Sequence, residues 1–388
     1  MGCNYYYCNR PDINEIQEEI KTEINNKESN KINNITEIKK IEETYIIDYN
    51  KENNIEFQKI KTITYLKDIT NDSYTIFGTD NTFLIFKSIN SIIYLIYSTI
   101  NKSIILYNIL NNNKITEIKS AHKEYITNFR HFLHKKNKTD LIISISGYDN
   151  NIKLWNINDI QCILNLENVY NEGYIYSACF LYEINIKEIY IISSSYNIYD
   201  SEPIKVFNLK GQKIKEIKNS NDETFFIETY YDNENNKIYI ITGINSCIKS
   251  YDYYKNEIYK KYCDNENTMA NCSIIIYDKE KIVKLISSSY DGNIRIWNFH
   301  KGNILNKYKV FDYQINGICL WNKDYLVVGC LDQSMKIIDL IKGEIIKELK
   351  NHNDQVITIK KIFIEKYGKC LVSQGLYNDQ IKLWVLKN

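Results

Sequence analysis

The chain has 388 residues, enough for two or three domains or one large repeat array, and for a sizeable core in either case. Lys+Arg 49 against Asp+Glu 48 leaves a formal charge of +1, so the whole-chain charge gives no pull towards nucleic acid or anionic membrane. With 44% hydrophobic and 25% charged residues the composition is that of a folded globular chain and not of a disordered one.

At the N-terminus, Met1-Gly2-Cys3 is an acylation pattern. Gly2 would carry a myristoyl group and Cys3, with Cys8, a palmitoyl group, the two signals that stable anchoring needs. The pattern asks for Ser or Thr at position six, where this chain has Tyr6. Residues 1–54 are assigned to an N-terminal extension. Within it Ile13, Ile16, Ile20 and Ile24 stand at helical spacing, and the segment is read as a short amphipathic helix or as a disordered leader. Nowhere does an apolar run reach the roughly 18 residues that span a bilayer, and no secretory signal opens the chain. The cytoplasm is therefore the expected compartment, with the membrane as an alternative if the N-terminus is acylated.

From residue 55 to 388 a five-residue unit recurs. Ile152-Lys153-Leu154-Trp155-Asn156 is followed by close copies ending at Asn208, Asp252, Asn298 and Val385, with weaker copies ending at Asn108 and Asp339. The fourth residues, Tyr107, Trp155, Phe207, Tyr251, Trp297, Ile338 and Trp384, are 48, 52, 44, 46, 41 and 46 apart. Apolar, basic, apolar, bulky is the period-two alternation of a strand. Six positions before the anchor stands a turn residue, Asp149, Asp291 or Asp332, with Asn101, Asn245 and Asn378 in other copies. Asp or Asn there predicts a hairpin turn with positive φ. A strand upstream of that hairpin and another downstream make four antiparallel strands per period of about 46 residues, the blade of a β-propeller.

These residues resemble the WD-repeat family, whose blades carry a His before the first strand, an Asp in the tight turn and a Trp-Asp at the end of the third strand. His122, Asp149 and Trp155 form one such set, and His352, Asn378 or Asp379, and Trp384 another; Asp291 with Trp297, and Asp332, belong to sets without the His. The dipeptide Trp-Asp itself does not occur. The resemblance implies an all-β fold, a seven-bladed β-propeller of four-stranded antiparallel blades behind the short N-terminal extension. Closing the ring needs a fourth strand for the last blade, and residues 55–63 are the expected donor. Tyr45 to Asn50 also alternate, which leaves an eighth or irregular blade open.

Little here suggests chemistry. Five histidines are present; His122 and His352 have the structural place the resemblance implies, and His131 and His134 are expected in a solvated loop with no third metal ligand. No phosphate loop, GxSxG or HExxH occurs, and the ten cysteines form no CxxC pair, so most are read as small buried thiols. The chain is expected to need no cofactor and no metal, and to bind neither a small-molecule substrate nor nucleic acid.

What the resemblance implies is a non-catalytic interaction scaffold that docks a protein or peptide on a propeller face. Reading the turn and strand-start positions gives Tyr125, Tyr148, Tyr174, Tyr176, Phe225, Tyr290, Leu331 and Tyr377 as candidate partner contacts, with Ile100 and Ile244 in corresponding places. Tyrosines supply large contact area at low entropy cost. The alternatives are a membrane-tethered subunit like the G-protein β-subunits, which would use Gly2 and Cys3, and a propeller enzyme.

Overall fold

The computed structural model describes residues 58–70, 73, 81–171, 173–196, 202–217, 224–244, 247–264, 269–277, 282–377 and 380–387. Gly2, Cys3, the expected helix of the extension, the 54/55 boundary, residues 45–50, Asn245, Asn378 and Asp379 lie outside them.

Seven four-stranded antiparallel sheets make up the ring. Their first strands are Phe83–Lys87, Asn128–His134, Tyr174–Glu183, Thr224–Asp232, Ala270–Tyr277, Ile315–Leu320 and Val356–Ile364. Each is followed by a second strand (in blade 2, Thr139–Ser146) and by a third that carries the repeat: Ile104–Asn108, Asn151–Asn156, Ile204–Asn208, Ile248–Asp252, Asn293–Asn298, Ser334–Asp339 and Lys382–Leu386. Blades 1 to 6 take their fourth strand from the same stretch of chain, as Gln161–Leu166 does in blade 2. In blade 7 it is Ile63–Asp68.

That strand corrects the expected closure. The donor is N-terminal, as closure demands, but it is 63–68 and not 55–63, of which 58–61 form a helical turn. Elsewhere the fourth strand ends six to ten positions before the next blade begins, as Lys309 does before Ile315 and Ile118 before Asn128. A strand ending at residue 63 would leave a longer run to Phe83. The seam is held by Ile69 N–H donating to the Ile381 carbonyl (2.7 Å), by Lys382 donating to Asp68 (3.0 Å) and by Tyr65 edge-on to Trp384 at 5.7 Å. Two compact units are distinguished. The larger covers the described residues from Thr64 to Val385; in the smaller, Lys387 N–H donates to the Thr62 carbonyl (3.1 Å).

Cores lie between neighbouring blades, each filled by the apolar faces of two sheets, as where Ile143 and Leu154 of blade 2 meet Ala178 and Ile191 of blade 3. Approach is close enough that a Cβ on Gly317 would sit 2.6 Å from the Ile357 carbonyl oxygen.

Three recurrent positions of the unit now have a physical account. The residue after the anchor accepts from the turn that follows. Asn108, Asn156, Asn208, Asp252, Asn298 and Asp339 each take a backbone N–H two or three residues on, at 2.9 to 3.0 Å. Any side-chain carbonyl or carboxylate oxygen satisfies that N–H, so Asn replaces the Asp of Trp-Asp. The basic position is not solvent-facing. Lys153, Lys205 and Lys336 each donate to a carbonyl of the loop entering their own blade, of Ala121, Val169 and Val310, at 2.7 to 3.0 Å.

The third position is the turn residue, and here the backbone departs from expectation. Positive φ falls one residue later, at Lys102, Asn150, Gly292 and Gln333. The aspartates act through their side chains instead, accepting the N–H of Asn151, Asn293 and Ser334 at 3.0 to 3.1 Å.

Candidate functional site

Beneath the face that carries these tight turns, the repeat residues build polar clusters inside blades 2, 5 and 7. Trp155 donates its indole N–H to Ser144 Oγ (2.8 Å), which also contacts His122 Nε2 (2.8 Å), while His122 Nδ1 lies 3.4 Å from Asp149. In blade 7, Trp384 and His352 share Ser373 in the same way (2.7 and 2.6 Å). Blade 5 has Trp297 on Ser287 (3.0 Å), and Arg295 takes over the acid side, reaching Asp291 and, at 2.7 Å, Asp264. The serines were not picked out in the sequence, although they lie 10 or 11 residues before the tryptophans.

Burial holds the His122 imidazole below its ordinary value of 6.5, against the opposing pull of Asp149. Burial alone would raise the Asp149 carboxyl, but bonds from His122, the Lys123 N–H and Ser146 outweigh it and the group is lowered. For Asp291 the bonds from Arg295, Ser289 and Asn293 overcome burial by a wide margin.

Because folded His122 resists protonation, the unfolded chain takes up the proton first as pH falls below about 6.5. Its contribution to stability is complete above that pH and declines below it, by at most about 1.4 kcal/mol per pH unit. The urea midpoint of the native protein should therefore fall more between pH 7 and 5.5 than that of His122→Asn. The carboxylates, depressed in the fold, lose their contribution only below about pH 4, so this window isolates the histidine. Parallel curves for the two proteins would refute the assignment.

On the surface above, Tyr148, Tyr290, Leu331 and Tyr377 stand at the turns 43, 42, 42 and 48% exposed, with Ile100 at 52%. Ile244, in the corresponding place of blade 4, is instead buried at 1%. At the strand starts Tyr174 is exposed, Tyr125 and Tyr176 are half-buried, and Phe225 is buried at 7%. The fold brings some of these together. Tyr148 meets Tyr174 edge to face at 5.2 Å, and Tyr176 meets Phe225 at 5.6 Å. Tyr125, Tyr290, Leu331 and Tyr377 stand elsewhere around the ring, Tyr125 beneath the Lys102 ammonium at 5.4 Å.

Sequence reading missed Tyr196, which completes the Tyr176–Phe225 cluster at 5.6 and 5.9 Å, and the exposed Tyr313 at the entry to blade 6. It also missed the bulges. In blades 3 to 7 the pairing of first and second strands slips by one residue, at Tyr176, Phe225, Asn271, Asn316 and Ile357. Bulges of this kind re-aim the side chain they carry. Below them, first-strand residues meet across the ring: Arg130 of blade 2 pairs with Glu228 of blade 4 at 3.1 Å, and Lys360 of blade 7 donates to Asn81 beside blade 1 at 2.6 Å. The space left among Asn81, Arg130, Ser177, Phe225 and Glu228 is a small cleft.

His131 and His134 lie on the first strand of blade 2 and not in a loop. His131 bonds Asp140 (2.8 Å) and stacks on Phe86 of blade 1 at 3.7 Å, so a neighbouring blade, invisible in local sequence, takes it out of solvent. Among the described residues no three His, Cys, Asp or Glu side chains are grouped to hold a metal ion. No described helix is long and apolar enough to cross a membrane. Of the described cysteines, Cys162 and Cys263 are exposed and the others are buried.

The comparisons with known proteins agree with this architecture. The family model described as WD domain, G-beta repeat matches residues 271–298, the first three strands of blade 5. The U3 small nucleolar RNA-associated protein 21 homolog of Schizosaccharomyces pombe is 28% identical over 102 residues, 26% of this chain and 11% of that protein. Autophagy-related protein 16 of Arabidopsis thaliana is 28% identical over 96 residues, 24% of this chain and 18% of its own length. The matched part thus spans less than a fifth of either relative. The seven four-stranded blades and the repeat they share define the class, a closed β-propeller. The matched repeat and the relatives support a WD-repeat β-propeller, a fold that typically serves as a protein-interaction scaffold.

Proposed function

We propose that this chain is a non-catalytic, cytoplasmic scaffold that holds a protein or peptide partner on the face carrying the tight turns. The observation behind the reading is that five corresponding turn positions, Ile100, Tyr148, Tyr290, Leu331 and Tyr377, each present a large side chain 42 to 52% exposed. At Tyr148, Tyr290 and Leu331 the turn itself does not need such a residue, since the aspartate that follows caps it through its own carboxylate. Large aromatic and aliphatic groups kept this exposed at a rim are what interface anchors look like.

Replacing Tyr148, Tyr290 and Tyr377 together with alanine should weaken partner binding at least hundredfold, since truncated anchors cost roughly 2 kcal/mol or more apiece and do not add fully. The fold should survive, because exposed side chains contribute little to stability. Partners recovered on the native protein, identified by mass spectrometry and titrated against the triple variant, provide the measurement. Unchanged affinity from a variant with native circular dichroism would place docking elsewhere on the propeller.

A further inference from the structure

Blade 4 sets two cysteines face to face. Its third strand, Ile248–Asp252, pairs with its fourth, Glu257–Tyr262, so that Ile248 stands opposite Tyr262. Cys247 and Cys263 are the next residues outward on these two strands, and the same antiparallel register places them opposite each other. Neighbouring blades show the equivalent positions paired. Four residues before the anchor, Asn293 stands opposite Lys309 in blade 5, and Ser334 opposite Lys350 in blade 6. Among the described residues the register sets no other two cysteines opposite each other; Cys162, the other exposed one, faces Trp155.

Directly opposite residues of an antiparallel pair lie on one side of the sheet, with Cβ atoms about 4.5–5.5 Å apart. A disulfide spans Cα atoms about 4.4–6.8 Å apart and Cβ atoms about 3.5–4.5 Å apart. The remaining approach, about 1 Å, falls at the end of the ladder, where a sheet opens and closes most readily. Both residues are thiols in the structure, and their surroundings differ. Cys263 is exposed, whereas Cys247 is 7% exposed and borders a small cleft with Asp264, Ser289 and Arg295. An exposed thiol meets an oxidant first, and a sheltered one beside it closes the bond before oxidation goes further.

From this register we infer that Cys247 and Cys263 form a reversible thiol–disulfide site, closed by hydrogen peroxide and reopened by a small thiol such as glutathione. The Cys263 sulfur attacks one peroxide oxygen. An S–O bond forms, the O–O bond breaks, and the other oxygen leaves as water with the thiol proton. The Cys247 sulfur then attacks the resulting sulfenic acid, forming the S–S bond and expelling a second water that carries the Cys247 proton. Two thiols lose two electrons and two protons, and one peroxide becomes two waters. In the return step one glutathione thiolate breaks the S–S bond to give a mixed disulfide, and a second releases it, leaving two cysteine thiols and oxidised glutathione. Closed, the bond staples the third strand of blade 4 to its outermost strand. Asp264, next along the chain, accepts from Arg295 and Lys307 of blade 5 at 2.7 and 3.2 Å. The staple therefore also steadies the loop by which blade 4 holds blade 5.

The test treats the reduced full chain with increasing hydrogen peroxide, blocks the remaining thiols with N-ethylmaleimide and reads the tryptic peptides by mass spectrometry without reduction. Cleavage after Lys237, Lys249, Lys261 and Lys279 puts Cys247 in one peptide and Cys263, with Cys272, in another. These two peptides should appear joined and two hydrogens lighter than their sum, with fragments that place the bond at Cys263. This product should exceed any other pairing at least about tenfold, Cys162 serving as the exposed cysteine with no thiol opposite. Reduced glutathione should return both residues to the alkylated form. The oxidised chain should melt several degrees above the reduced one, because the bond constrains the unfolded chain. Cys263→Ser, a change at an exposed position, should abolish both the bond and the shift. Cys263 driven to sulfinic acid while Cys247 stays a thiol, a bond to another cysteine or between two chains, or a bond that glutathione leaves closed would overturn the inference.

Discussion

Trp155→Ala is expected to lower the stability of the protein by about 3–5 kcal/mol, the usual cost of removing a buried tryptophan. The side chain is 5% exposed and packs with Phe129, Ile142 and Ile157 of its own blade and with Leu106 of blade 1. Its loss leaves a cavity that two sheets cannot close without breaking their own pairing. It also takes away the donor on Ser144, so that the serine and the buried His122 beside it are left to re-satisfy each other. A loss of this size is a large part of the margin on which most domains stand. Urea unfolding followed by circular dichroism measures it, with Tyr148→Ala, an exposed change expected to stay within about 0.5 kcal/mol, as the control. A Trp155→Ala protein that unfolds with the native would mean that the anchor of the repeat is not the core residue of its blade.

That such a prediction can be made from one residue reflects how the repeat was legible. The anchors Tyr107, Trp155, Phe207, Tyr251, Trp297, Ile338 and Trp384 all fall on third strands, because period-two alternation is set within a strand and repeats with the blade. What the strand's own sequence does not contain is the neighbour. The buried lysines illustrate this: Lys205 is legible only as the basic member of the unit, whereas its ammonium reaches the Val169 carbonyl in the loop entering its blade, and the Tyr170 ring at 4.3 Å. His131 reads as the end of a strand and is covered by Phe86 from the next sheet. Turn chemistry was half legible. Asp149 and Asp291 mark the right turns, but their carboxylates carry the role that was expected of their backbone. Of the candidate contacts, Tyr148 and Tyr290 are exposed as read, whereas Phe225 is buried and Ile244 lies in the core, since exposure depends on loops whose course no periodicity fixes.

The largest effect is expected at the seam of the ring. A chain beginning at residue 58 keeps Ile63–Asp68, the fourth strand of blade 7, and should fold with a cooperative melt; one beginning at residue 69 lacks it. Without that strand, Lys382–Leu386 becomes an open edge, its backbone N–H and C=O groups unpaired along one side. Trp384 loses the Tyr65 ring that covers it, and the Lys382 ammonium, on a side chain 3% exposed, loses Asp68. Loss of Asp68, itself 32% exposed, adds a smaller cost to that of the ladder, so the shorter chain should melt well below the longer one or aggregate as edges pair between molecules. Adding the peptide 58–70 in trans should restore part of the lost stability, because strand addition supplies the same ladder without the covalent link. Coincident melting curves for the two chains would show that the ring is closed by some other contact. Rescue by the peptide alongside a lowered melt would tie the loss to the missing strand and not to damage elsewhere in the blade.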